Sequence, residues 1–92
     1  MFFSSSSLSE SGMISDYSEE EISLRLCIAE MTKTKVFLCD QTKFNKESAF
    51  NLFSLSDIDY AITGAPLPNE LLKMHKLELV SFDEAFMYKK VK

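Results

Sequence analysis

Ninety-two residues, 46% of them hydrophobic and 12% aromatic, suit one globular domain or part of one, since domains run about 50–200 residues; two independent cores do not fit. A formal net charge of −4 argues against a nucleic-acid surface, because DNA affinity comes largely from Lys and Arg neutralising phosphates. The longest apolar runs are about four residues, far short of the ~18 that span a bilayer, so no membrane contact is expected and the chain reads as soluble and cytoplasmic.

Met1-Phe2-Phe3 followed by serines lacks the basic start and the apolar length of a secretory leader. Phe2-Phe3-Ser4 reads as the end of a strand and Ser5 to Ser15 as a polar loop, with Gly12 its turn residue. Ser18 followed by Glu19, Glu20 and Glu21 is a capping-box pattern that starts a helix at Glu19. Ile22, Leu24, Leu26, Cys27, Ile28, Ala29 and Met31 cover more than one face of that helix. It should therefore be wedged between a sheet and a neighbour. Glu21 and Arg25 are spaced to pair along it. Lys33, Thr34 and Lys35 close it.

Val36 to Cys39 is a continuous apolar run, as expected of a parallel strand buried on both faces, which puts Asp40 at its carboxyl end. Gln41 to Glu47 reads as a polar loop, Ser48 to Leu55 as one or two helical turns with Phe50 and Phe53 inward, and Ile58 to Thr63 as a second strand ended by Gly64 and Pro66. A short helix over Asn69–His75, a further strand over Leu77–Val80 nearer an edge, and a frayed basic tail at Lys89, Lys90 and Lys92 complete the chain. Strands and helices alternate, which predicts an α/β fold: a partial doubly wound, mainly parallel sheet with flanking helices.

Leu38-Cys39-Asp40-Gln41-Thr42-Lys43-Phe44 resembles the Asp-x-Ser/Thr-Lys-Phe motif that follows a strand in the sensor domain of DeoR-type transcriptional regulators. Phe2-Phe3-Ser4 with Leu8-Ser9 and Gly12-Met13 resembles that family's strand and serine-rich loop. Glu19-Glu20 with Arg25 and Ile28 is similar to its acidic-start helix, and Leu55-Ser56-Asp57-Ile58-Asp59 before Ile62-Thr63 to its Leu-x-x-Ile-Asp strand entry. The likeness covers roughly Phe2 to Val80 in the family's order. Departures are Gly64 where an acid is usual, and Ser7 and Asn45 where glycine is common. The resemblance implies a fold related to sugar-phosphate isomerases and a role in sensing a phosphorylated sugar. It also implies that residues 1–82 are the distal half of a sensor domain with 83–92 as tail, the winged-helix DNA-binding domain and the glycine-rich phosphate-holding segment lying before Met1.

Asp40 and Lys43 are the leading effector-binding candidates. Open α/β sheets gather ligands outside the carboxyl ends of their strands, and a lysine is a suitable point charge for phosphate; the bland alternative has the two capping the turn and pairing with each other. Glu20 could take a sugar hydroxyl or simply favour the helix dipole. Ser4 and Ser5, past a strand end, could contact ligand or merely be solvated. His75, the one histidine, has no partner cluster and reads as a surface residue. Cys27 and Cys39 match no zinc or redox spacing and read as reduced core cysteines. No cofactor or metal is expected, nor stacking of nucleic-acid bases, since the aromatics are not interleaved with Lys and Arg.

The favoured function is thus the phosphosugar-sensing portion of a DeoR-type regulator, a repressor of sugar-metabolism genes, and not an enzyme. The alternatives are a truncated sugar-phosphate isomerase, for which nothing beyond Asp40, Glu20 and Lys43 forms a recognisable acid–base set, and an oligomerisation remnant that binds nothing. Unpaired sheet edges and apolar faces further predict self-association as a homo-oligomer, by exchange of the strand at Phe2 and Phe3.

Overall fold

The structure, a computed structural model, describes residues 1–91. It is α/β, as the sequence implies, with two helices and two sheets. The larger sheet has strand order β1-β4-β6-β8-β7, where β1 is Phe2–Phe3, β4 Val36–Cys39, β6 Tyr60–Thr63, β7 Leu77–Phe82 and β8 Phe86–Lys90. The smaller has order β2-β3-β5, with β2 Ser7–Leu8, β3 Met13–Asp16 and β5 Phe50–Ser54. The helices are α1, Glu19–Glu30, and α2, Asn69–His75.

The parallel ladders are β1 with β4 and β4 with β6, apart from an isolated parallel bridge between Leu8 and Phe44. The remaining ladders are antiparallel, so the large sheet is mixed where a mainly parallel one is expected. The cause is the C-terminal segment. Residues 86–90, expected within a frayed tail, instead form a strand inserted between β6 and β7. Tyr88 drives this: it is 2% exposed, and its hydroxyl oxygen accepts from the Leu67 amide at 2.9 Å. Lys89 stands opposite Glu78, a favourable cross-strand pair.

Two further segments differ from the sequence reading. The loop expected over Ser5–Ser15 contains a hairpin of β2 and β3, turned at Gly12 with φ +87°. Ser48–Leu55, read as helical from Phe50 and Phe53 three apart, is instead β5 followed by a 3-10 turn at Leu55–Asp57. β3 offers it an open edge, and the Met13–Ser54 to Asp16–Phe50 ladder outweighs a weak helical pattern.

Helix α1 begins as expected, with the Ser18 hydroxyl accepting from the Glu21 amide at 3.2 Å. It packs on the smaller sheet through Ile22 and Ala29. The second neighbour implied by its apolar circumference is not present among the described residues: Leu24, Leu26, Ile28 and Met31 are exposed, and so is Cys27, in contrast to the core position expected for it. Leu38 on β4 is also partly exposed, so that strand is not sealed on both faces. The core gathers Phe3, Leu8, Ile14, Phe37, Leu55 and Ile58 between the sheets. Phe3 and Phe53 meet edge-on at 5.5 Å. β1 pairs with β4 of its own chain, so the strand considered for exchange has a partner at home.

His75 corrects the surface reading most clearly. It is 7% exposed at the end of α2. Its Nε2 lies 2.8 Å from the Ser11 carbonyl oxygen and its Nδ1 2.6 Å from Ser56 Oγ. A carbonyl oxygen only accepts, so Nε2–H donates to Ser11, while Nδ1 and the Ser56 hydroxyl share the second hydrogen bond. One side chain thereby ties α2, the 3-10 turn and the Gly12 hairpin together.

Candidate functional site

Because β1 and β4 run parallel, the residues following them emerge side by side. Ser4 to Ser6 leave β1, and Asp40 to Lys43 leave β4 as a 3-10 turn. Asp40 caps that turn, its Oδ1 accepting from the Thr42 amide at 3.1 Å, which projects Lys43 from the turn's last position. Four of the five candidate residues, Ser4, Ser5, Asp40 and Lys43, line one open cleft of about 400 Å³ together with Ser6, Asp16, Glu21, Arg25 and Leu38. Glu20 is not in the lining; the carboxylate from that turn is Glu21.

Asp16 was not singled out in the sequence, yet it organises the cleft floor. Its side chain is 8% exposed and lies 2.6 Å from Arg25 Nη1, while Ser6 Oγ donates to its other oxygen at 2.6 Å and the Tyr17 amide donates at 2.8 Å. Burial alone would raise the Asp16 pKa, but the hydrogen bonds from Ser6, Arg25 and Tyr17 and the charge of Arg25 outweigh it and hold the carboxyl below its ordinary value. Arg25 Nη2 also reaches Glu21 at 3.6 Å, the pairing expected from their spacing. The only sequence signal for Asp16 is an acid closing an alternating segment just before the capping box.

These are the ion pairs among the described residues, so Lys43 is held in none of them, Asp40 included. The capping half of the bland alternative for Asp40 and Lys43 is present and the pairing half is not. Cys39, the last residue of β4 before Asp40, has its thiol pKa pushed up to about 11 by burial first, with the Asp40 charge adding and Lys43 partly offsetting. Its thiol stays protonated at neutral pH and is no nucleophile.

The sign of the Asp16 shift sets a pH window. A carboxyl depressed in the fold adds stability that is fully present above its unfolded pKa, about 3.9, and is lost as pH falls through the lower folded value. Asp16→Asn is expected to cost about 2 kcal/mol at pH 7, where hydrogen bonds to a charged group are lost. It should also flatten the acid limb below about pH 4. Urea melts of both forms from pH 2 to 7 check this: parallel acid limbs would remove Asp16 from the account.

The cleft opens at parallel strand ends, where ligands gather in open α/β sheets, and holds the Lys43 ammonium, outside every ion pair of the described residues, among hydroxyls and carboxylates. The family model described as "DeoR C terminal sensor domain" matches residues 1–65, and the chain belongs to this family. It is also 30% identical over 78 residues to a "Glycerol-3-phosphate regulon repressor" of Haemophilus influenzae, an alignment covering 82% of the chain but 30% of that relative's length. No solved structure matches. The match to the sensor family takes in both halves of the cleft, Ser4 to Ser6 and Asp40 to Lys43. Among the described residues no helix is long and apolar enough to cross a membrane.

Proposed function

We propose that this chain is the effector-sensing portion of a cytoplasmic transcriptional repressor of sugar-metabolism genes, and that a phosphorylated sugar occupies the cleft between Ser4–Ser6 and Asp40–Lys43. The observation that carries the reading is Lys43, a cation outside every ion pair of the described residues, sharing its cleft with the serine hydroxyls that follow β1. Phosphate oxygens take the Lys43 ammonium and the hydroxyls of Ser4 and Ser5. Sugar hydroxyls donate to Asp40 and Glu21. Glu20 stands one position outside, at the positive end of α1. The relative's name ties it to a phosphorylated polyol, which agrees with this chemistry.

The cleft supports binding better than catalysis. Its lining holds no histidine or cysteine, and its buried carboxylate is depressed and saturated with donors, the opposite of a raised general acid. The fold reading is the distal part of a sugar-phosphate isomerase-like domain, with β1, β4 and β6 as its parallel portion. DNA contact falls to other parts of a regulator, and the chain associates with copies of itself.

Calorimetric titration with sugar phosphates and their unphosphorylated parents tests the sensing reading. A phosphorylated ligand that binds at least tenfold tighter than its parent supports it; equal affinity across a panel of pentose, hexose and triose pairs sinks it. In a mobility-shift titration at physiological salt, this acidic chain alone is expected to leave duplex DNA unshifted beyond nonspecific background. A sequence-specific shift would put a DNA-binding surface here.

A further inference from the structure

At about 100° per residue, α1 carries two apolar faces. Ile22 and Ala29, with half-buried Arg25 beside them, look inward to the smaller sheet and the cleft. Leu24, Cys27, Ile28 and Met31, spaced i, i+3, i+4, i+7, lie almost diametrically opposite and are exposed, Leu24 by 62% and Met31 by 82%. That spacing is the pattern of a helix built to meet another helix. Glu20 heads the outer face, and Lys33 follows its far end.

We propose that the outer face of α1 is where a second copy of this chain docks, the two helices antiparallel about a two-fold axis between Cys27 and Ile28. The inference gives a surface to the self-association proposed above. The charges select this partner and this direction. Antiparallel pairing centred there sets Leu24 against Met31 of the second copy and Cys27 against its Ile28. It also brings Glu20, in the acidic first turn, toward Lys33 of the second copy at both ends, whereas Lys35 is turned inward over Phe53. A parallel pair would stack the acidic turns on one another. The two helix dipoles also oppose in the antiparallel arrangement, and one patch serves both subunits. The cleft lies on the Arg25 side of α1 and stays open, so docking and effector binding use separate faces.

Cys27 provides the probe. It is the exposed thiol of the two, while Cys39 is buried and protonated, so a short bis-maleimide reports on position 27 alone. The full chain should sediment as a dimer and cross-link through Cys27 in high yield at low reagent. Cys27→Ser should abolish cross-linking and leave the sedimenting dimer intact. Ile28→Lys, at an exposed position, should raise the dimer Kd at least tenfold with circular dichroism and phosphosugar affinity unchanged. Glu20→Lys and Lys33→Glu should each weaken the dimer, and the double reversal should restore it. A dimer indifferent to Ile28→Lys and refractory to cross-linking overturns this surface while leaving self-association standing. A monomer at high micromolar concentration overturns both, and neither outcome bears on the phosphosugar reading.

Discussion

Replacing Gly12 by alanine is expected to cost about 3 kcal/mol or more and to lower Tm by more than about 10 °C, as two independent penalties combine. Gly12 has φ +87°, a region that L side chains rarely adopt, and a Cβ built there would lie 2.2 Å from His75 Nε2. The imidazole cannot swing aside cheaply. It is buried and held at both nitrogens by the Ser11 carbonyl and Ser56 hydroxyl. The Gly12 carbonyl, meanwhile, accepts from the Leu55 amide at 2.8 Å, so the turn itself is pinned. Thermal melts of Gly12→Ala, His75→Ala and the double variant separate the penalties. The clash disappears in the double variant, so its cost should fall short of the sum by about 1 kcal/mol or more, as for residues in contact. Additive costs would mean that the close approach is not what constrains position 12.

Lys43→Ala is expected to weaken phosphosugar binding by roughly tenfold to a hundredfold, the size of a lost hydrogen bond to a charged group. Stability should change by no more than about 0.5 kcal/mol. Lys43 ends a 3-10 turn whose cap is supplied by Asp40, and it enters no ion pair of the described residues, so the fold does not lean on its charge. The loss should be selective: affinity for the unphosphorylated sugar, already weak, should barely move, and the preference for phosphate should collapse. Calorimetry on both ligands measures this. An unchanged ratio would assign Lys43 to turn formation alone.

Local signals proved legible where one cause dominated. Ser18 before three glutamates gives the start of α1, Pro68 precedes α2, and the run Val36–Cys39 gives β4 with Asp40 beyond it. Gly12 as a turn residue follows from composition alone. Misreadings cluster where tertiary pairing decides. Phe50 and Phe53 fit a helical spacing as well as a strand, and only the open edge of β3 breaks the tie. The last ten residues carry three lysines and look solvated until Tyr88 is seen sealed against Leu67. His75 was misplaced because no pattern within the seven-residue α2 fixes its rotation, and Cys27 because α1 carries apolar residues around more than one face and only Ile22 and Ala29 turn inward.

The site was half legible for a similar reason. Asp40, Lys43, Ser4 and Ser5 follow strand ends, and the rule that ligands gather there needs no partner information. Asp16 and Arg25 are nine residues apart on a strand and a helix that face each other only in three dimensions. Their pair neutralises the cleft floor, and Lys43 is the cleft cation that enters no ion pair of the described residues. The serines differ in the same way: Ser6 is committed to Asp16, whereas Ser4 remains exposed.

Amide chemical-shift mapping on isotopically labelled chain tests most directly whether the cleft after β1 and β4 receives a phosphorylated sugar. Titration with a binding sugar phosphate should move the amides of Ser4 to Ser6 and Asp40 to Lys43 in fast or intermediate exchange, with smaller shifts at Asp16 and Arg25. The outer face of α1, from Leu24 to Met31, should stay still apart from Arg25. Saturable shifts confined to another surface, with the residues after β1 and β4 unmoved, would contradict it.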